Sequence, residues 1–297
     1  MLPAPSSPLK AVEQIRRMRG GSQSHLMRCA DENYYVVKFQ NNPQGTRILV
    51  NELLGTRLAA LLGLPTTPTA IVHVHEDLIR LTTELRMEMP RNRQALCYVP
   101  CKPGLQFGSR YPLDPHRVIV FDFLPDKQLV EVRNFQNFAG MLVFDKWTCN
   151  IDGRQTIFYN AEVGAPYTTE MIDQGFCFGG IEWNFPDAPL RNLYARKVVY
   201  EPVRDINDFE PWLTKLETEI NEQIIIDIAK DIPPEWYESD SASLQRLLER
   251  LDLRRNTVRE LLWSTWKSSR HFFPNWNSRV AFENTTPVCS KTEVTHA

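Results

Sequence analysis

Six prolines stand at positions 90, 100, 103, 112, 115 and 125, and they divide the 297-residue chain into two unlike halves. Proline lacks a backbone N–H and has a fixed φ, so a segment this dense in it supports loops and short strands but no long helix. Before this region the pattern reads strand, strand, helix, strand, strand. Strands are expected over 25–29, 34–39, 71–74 and 78–85. A helix is expected over 46–62, where Ile48, Leu49, Leu53, Leu58, Leu61 and Leu62 recur near helical spacing and Gly63 and Pro65 stop it. Residues 9–18 read as a further short helix, followed by a turn at Gly20, Gly21, Ser22, Gln23 and Ser24. Inside the proline-rich region, 95–99 and 118–123 read as short strands and 104–110 as a surface loop. Beyond it the periodicity is helical, over 129–147, 209–230, 241–250 and 257–268. The expected fold class is therefore α+β: a mixed-sheet lobe over 1–88, a hinge region with inserted loops over 89–124, a mainly helical lobe over 125–280 and a flexible polar tail over 281–297.

Bulk properties narrow the function classes. Hydrophobic residues at 42% and charged residues at 24% are ordinary for a globular chain, and a net charge of -2 supplies no general attraction to nucleic acid or anionic lipid. No apolar run approaches the roughly 20 residues that span a bilayer, and Met1-Leu2-Pro3-Ala4-Pro5 lacks the charged head and apolar stretch of a signal peptide. Cys29, Cys97, Cys101, Cys149, Cys177 and Cys289 form no CxxC pair, so zinc is not expected. Scattered thiols of this kind fit a cytoplasmic protein.

The chemistry-bearing residues lie on both sides of the proline-rich region. Lys38 interrupts the apolar run Val36-Val37-Lys38-Phe39, where it is either an outward-facing strand residue or a lysine aimed at phosphates. Glu52, 14 residues later on the expected helix, is placed to pair with it. Adjacent Gly20 and Gly21 let backbone N–H groups approach an anion, and Ser22 and Gln23 add side-chain donors. Downstream, Asp152 and Asp173 sit in two short turns 21 residues apart. Each alone is readable as a hairpin turn residue. Together, in this order after Lys38, they match the needs of phosphoryl transfer from a nucleotide, where one carboxylate orients a hydroxyl and another holds a metal ion. Asn150 is placed either to hold the loop or to join the metal shell.

These residues carry a family resemblance. Gly21-Ser22-Gln23 ahead of the Val37-Lys38 strand resembles the glycine–glutamine phosphate loop of HipA-like kinases. Asp145-x4-Asn150-x-Asp152 and Ile172-Asp173-x-Gly175 resemble the catalytic and metal motifs shared by those kinases and type II phosphatidylinositol 4-kinases. The resemblance spans about residues 20–180 and is looser over the C-terminal helices. It implies a bilobal, protein-kinase-like fold with its nucleotide site on the N-terminal lobe, and an ATP- and Mg²⁺-dependent phosphotransferase with a protein Ser/Thr acceptor. Under it Gly20, Gly21, Ser22, Gln23, Lys38 and Glu52 serve ATP, Asp152 is catalytic, and Asp173 binds metal with Gln155 and Asn150. The families usually carry Asn five residues after the catalytic Asp; here that position is Ile157, and Gln155 is the available substitute. This departure leaves a nucleotide-binding pseudokinase as an alternative. A phosphoinositide-type lipid kinase is a further one, disfavoured because no amphipathic membrane-binding segment or palmitoylation cluster occurs.

Other features read as structure. His73 and His75 alternate on one strand without a third ligand. Leu244, Leu247, Leu248, Leu251, Val258, Leu261 and Leu262 form a helical core stripe. The cluster Arg246, Arg250, Arg254, Arg255 and Arg259 reads as a solvated face, so a nucleic-acid partner is not expected, and Trp263, Trp266 and Trp276 are expected to anchor the last helix.

Overall fold

A computed structural model describes residues 7–92, 95–160, 162 and 164–277. Five strands close into a barrel in the order β1, β2, β3, β7, β4, where β1 is Leu9–Arg17, β2 His25–Cys29, β3 Tyr34–Lys38, β4 Thr69–Val74 and β7 Gly104–Arg110. Their inward residues Met27, Cys29, Tyr35, Val37, Val72 and Val74 make a separate small core. The helix α1, Ile48–Leu61, follows β3.

Two expectations for this lobe are corrected. Residues 9–18 form strand β1, not a helix. β1 pairs antiparallel with β2 and parallel with β4, and the register slips twice, between Ala11 and Glu13 and between Gln14 and Arg16. Those bulges break the two-residue alternation by which a strand is recognised. Residues 104–110 form β7, a central strand, not a surface loop. Its glycine and glutamine have internal uses. A Cβ on Gly108 would lie 2.5 Å from Val72, and buried Gln106 accepts from the Gln40 N–H at 2.8 Å and donates to the Lys102 carbonyl at 2.8 Å.

The expected strand over 78–85 is also replaced. Between β4 and β7 the chain inserts α2, Glu76–Leu81, and an antiparallel hairpin of β5, Arg86–Asn92, with β6, Ala95–Pro100. His75 caps α2 by accepting the Asp77 N–H.

The second half contains α3, Asp126–Leu129; α4, Asn137–Thr148; a hairpin of β8, Gln155–Tyr159, with β9, Thr168–Ile172; and α5, Glu210–Thr218; α6, Glu222–Ala229; α7, Ser241–Arg254; α8, Val258–Ser268. The helix expected over 129–147 is thus broken between α3 and α4. The one expected over 209–230 is broken where Asn221 accepts the Ile224 N–H as the cap of α6. Residues 118–123 contribute only one bridge, Phe121 with Phe158. The tail over 281–297 lies outside the described residues. Among the described residues no helix is long and apolar enough to cross a membrane.

α4 is buried along nearly its whole length and forms the centre of the larger core. Arg254 of α7 caps its C-terminal carbonyls, donating to Trp147 O and Lys146 O at 2.8 Å each, and pairs with Asp187. α1 belongs to the same core through Leu49, Leu53 and Leu58. Arg57 bonds Ile228 O at 2.6 Å and pairs with Asp231, while Arg47 reaches Asp240 at 3.2 Å. The helix that follows the Lys38 strand is therefore fastened to the helical half.

Two predictions follow from this packing. Gly140 of α4 faces Trp212, and a Cβ there would run into the indole ring. Helix propensity favours Gly140→Ala by about 1 kcal/mol, but overpacking against an aromatic ring costs about 1–3 kcal/mol, so urea titration should find the variant less stable. Burial, aided by Arg17, lowers the His25 pKa from 6.5 to about 4. The unfolded chain therefore binds a proton that the folded one refuses. The stability this gives is complete above pH 6.5 and falls away as pH drops towards 4. Replacing His25 with Leu should flatten the stability–pH curve in that window relative to the wild type.

Candidate active site

Lys38 ends β3 and is only 7% exposed. An ammonium cannot stay charged there without partners, and two carboxylates supply them. Its Nζ bonds Glu52 Oε1 and, at 2.7 Å, Asp173 Oδ1. Glu52 comes from α1, and its other oxygen accepts the Gln174 N–H at 3.0 Å. Asp173 follows β9 directly and has φ 59. Burial opposes the charge on Lys38, but Glu52 and Asp173 outweigh it and hold its pKa above the ordinary lysine value. For Asp173, burial is likewise outweighed, here by Lys38, and the carboxyl lies below its usual range. Glu52 goes the other way because burial exceeds the pull of Lys38. The exposures explain the split: the Glu52 side chain is 3% exposed and that of Asp173 30%.

The close approach of α1 to the Asp173 turn depends on two glycines. A Cβ on Gly55 would lie 2.8 Å from Gln174 Cβ, and one on Gly175 would lie 2.9 Å from Ile48 and 3.0 Å from Glu52. Asn51, which the sequence reading did not single out, locks the segment that follows. It donates to the carbonyls of Gly175, Gly180 and Cys177 at 2.7, 3.0 and 3.2 Å and accepts from Trp183 Nε1 at 2.7 Å. Phe178, Trp183 and Phe185 all have positive φ in this segment, a costly conformation that persists only where surroundings impose it. The available signal was an amide buried in the apolar run Leu49-Val50-Asn51-Glu52-Leu53.

The Asp152 loop is organised from α4. Cys149 turns left-handed with φ 48. Asn150 donates to Asp145 Oδ1 at 3.1 Å and accepts the Asp152 N–H at 3.2 Å. Both ends of its buried amide hold the loop. Asp152 is exposed, accepting from the Gly153 N–H at 2.8 Å and from Gln155 Nε2 at 3.4 Å. Gln155 opens β8 and pairs with Ile172, next to Asp173. Arg154, also missed from sequence, is fully enclosed. It pairs with Asp145 and donates to Ile172 O at 3.1 Å and Gln174 Oε1 at 2.9 Å. One guanidinium thus joins α4, the Asp152 loop and the Asp173 turn.

The β2–β3 register of His25 with Val37 sets the glycine-rich turn beside the Lys38 strand. Gly20 has φ 122, a conformation that favours glycine, and a Cβ on Gly21 would lie 2.8 Å from Gln44. Ser22 is buried. The Gln23 side-chain amide is engaged with Arg17 and with the main chain of Glu88.

Among the described residues no three His, Cys, Asp or Glu gather as a metal cage. Magnesium in nucleotide sites uses one or two carboxylates plus phosphates, and the Asp173 carboxylate, with its side chain 30% exposed, fits that need. His73 and His75 lie with ring centroids 6.3 Å apart and belong to no such group.

Removing one partner of a buried ion pair leaves an uncompensated charge, which costs about 3–5 kcal/mol. Asp145→Ala should therefore lower the unfolding free energy measured by urea titration by that order. It should also speed hydrogen exchange in both the Asp152 loop and the Asp173 turn, whereas damage to one loop alone would refute the bridging role of Arg154.

Comparison with known proteins agrees with this geometry. The proinflammatory kinase CtkA of Helicobacter pylori superposes with a TM-score of 0.55 at 14% identity, covering 87% of this chain and 99% of that one. Hydra Fam20, solved with sugar, gives a TM-score of 0.52 at 12% identity, covering 88% of this chain and 87% of its own. At these identities the likeness establishes a kinase-like fold. No curated protein matches the sequence. The model of the HipA-like kinase family matches residues 11–162, from β1 through the Asp152 loop and β8. The chain belongs to the HipA-like kinase family.

Proposed function

We propose that this protein is an ATP- and Mg²⁺-dependent phosphotransferase that acts on a Ser or Thr hydroxyl of a protein. The observation that carries the reading is the convergence of Glu52 and Asp173 on the Lys38 ammonium. In phosphoryl transfer, positioning and charge neutralisation supply nearly all of the catalysis. Lys38 neutralises phosphate oxygens, and Glu52 keeps its ammonium in place. Asp173 is the metal ligand, with the Gln155 side-chain oxygen as the second. Bound Mg²⁺ offsets the negative charge of the phosphates. Asp152, exposed at the mouth of its loop, orients the acceptor hydroxyl and takes its proton. The glycine-rich turn presents backbone N–H groups to the phosphates. The free thiols of Cys29, Cys101, Cys149 and Cys177 are buried, which accords with a reducing, cytoplasmic setting.

Ile157 favours a second reading, a pseudokinase that holds nucleotide without turnover. Incubation with labelled ATP, Mg²⁺ and a mixture of protein acceptors separates the two. Phosphoryl transfer should occur, stop on chelation of the metal, and fall by about 10²–10⁴-fold in Asp152→Ala, the range for loss of a general base. Nucleotide binding without incorporation of label would support the pseudokinase. Transfer to phosphatidylinositol vesicles but not to protein would move the acceptor to lipid.

A further inference from the structure

The hairpin β5–β6 is not needed to close the barrel. β4 and β7 pair directly from Thr69 with Ser109 to Val74 with Gly104, and α2 and the hairpin are inserted between them. Yet this insertion is bonded to the glycine-rich turn. Gln23 Oε1 accepts the Glu88 N–H at 2.7 Å, and Nε2 donates to the Glu88 carbonyl at 2.8 Å. The side-chain amide thus satisfies both main-chain groups of Glu88, as the peptide of a neighbouring strand would. Arg17 closes the ring, donating to Gln23 Oε1 at 2.7 Å and to Glu88 Oε1 at 2.6 Å.

Two further contacts confine the same turn. The Met18 N–H bonds Ser24 O at 2.8 Å across its base. His25, the next residue, stacks edge-on against Phe39 and lies 4.0 Å from the Cys101 thiol just beyond β6. Gln23 adopts φ 50, a conformation uncommon outside glycine, and its three hydrogen bonds hold it there.

We propose that the β5–β6 hairpin is a strut for the phosphate-binding turn and that Gln23 is its positioning residue. A turn with two adjacent glycines has much freedom to lose when it closes on a polyanion. Anchoring it to a hairpin removes part of that cost before the ligand arrives. Gln23 acts through the turn and does not touch the phosphates. The proposal rests on the nucleotide-binding reading given above.

The test compares wild type, Gln23→Ala, Gln23→Glu and Lys38→Ala by calorimetric titration with ATP–Mg²⁺ and, separately, with adenosine. Gln23→Ala should bind ATP about tenfold more weakly, in line with losing hydrogen bonds of ordinary net worth. Its adenosine affinity should stay at the wild-type value. Gln23→Glu keeps the acceptor contacts but sets a carboxylate oxygen against the Glu88 carbonyl and adds negative charge beside the turn, so its ATP affinity should fall at least as far as in Gln23→Ala. Hydrogen exchange over residues 18–24 should quicken in Gln23→Ala without any ligand. Wild-type ATP affinity in Gln23→Ala, alongside weakened binding in Lys38→Ala, would overturn the strut and leave the function intact. Equal losses for ATP and adenosine would also overturn it, marking Gln23 as a general fold contact. If the wild type binds no ATP, the functional reading falls, and the strut with it.

Discussion

Lys38 carries a positive charge into the seam between the barrel and the helical half, where water is nearly excluded. The surroundings are arranged to answer that charge. Glu52 arrives from α1 and Asp173 from the end of β9, so three segments distant in sequence are held by one ammonium. Such a triad is poor evidence for net stability, because desolvating its members costs about what their attraction returns. Its value is positional: each group is fixed by the others and by the main chain.

The setting of α1 follows from this arrangement. A helix with eleven buried positions cannot present one apolar stripe and one wet face, and α1 has neither. It is buried in the larger core and is tied to the helical half by Arg47 and Arg57. Gly55 and Gly175 then let the Asp173 turn come down onto it, and Asn51 bonds the carbonyls beyond. The Lys38–Glu52 pair therefore belongs to the resting architecture of the fold, with no swing of α1 required to make it.

Much of the site was legible because its residues violate local expectation. A lysine in an apolar strand, paired glycines before a hairpin, and two aspartates in short turns each stand out against simple patterns. Arg154 and Asn51 did not, although they hold the site together. A buried arginine in a polar loop looks like any surface arginine until Asp145 is seen beside it. The partners of Asn150 and Gln23 were not legible, since an amide donates and accepts equally well to a ligand, a loop or a neighbouring strand.

The sequence alone determined the order of the strand-rich and helix-rich halves, the strands β2 and β3, and the helix α1. Periodicity and residue type carry those, since they are local. Tertiary structure alone decided that residues 9–17 and 104–110 are barrel strands, because bulges and a close-packed glycine erase their alternation. It also decided that Lys38, Glu52 and Asp173 meet. Their separation along the chain holds no record of that contact, which arises only when the barrel closes and α1 is drawn into the larger core.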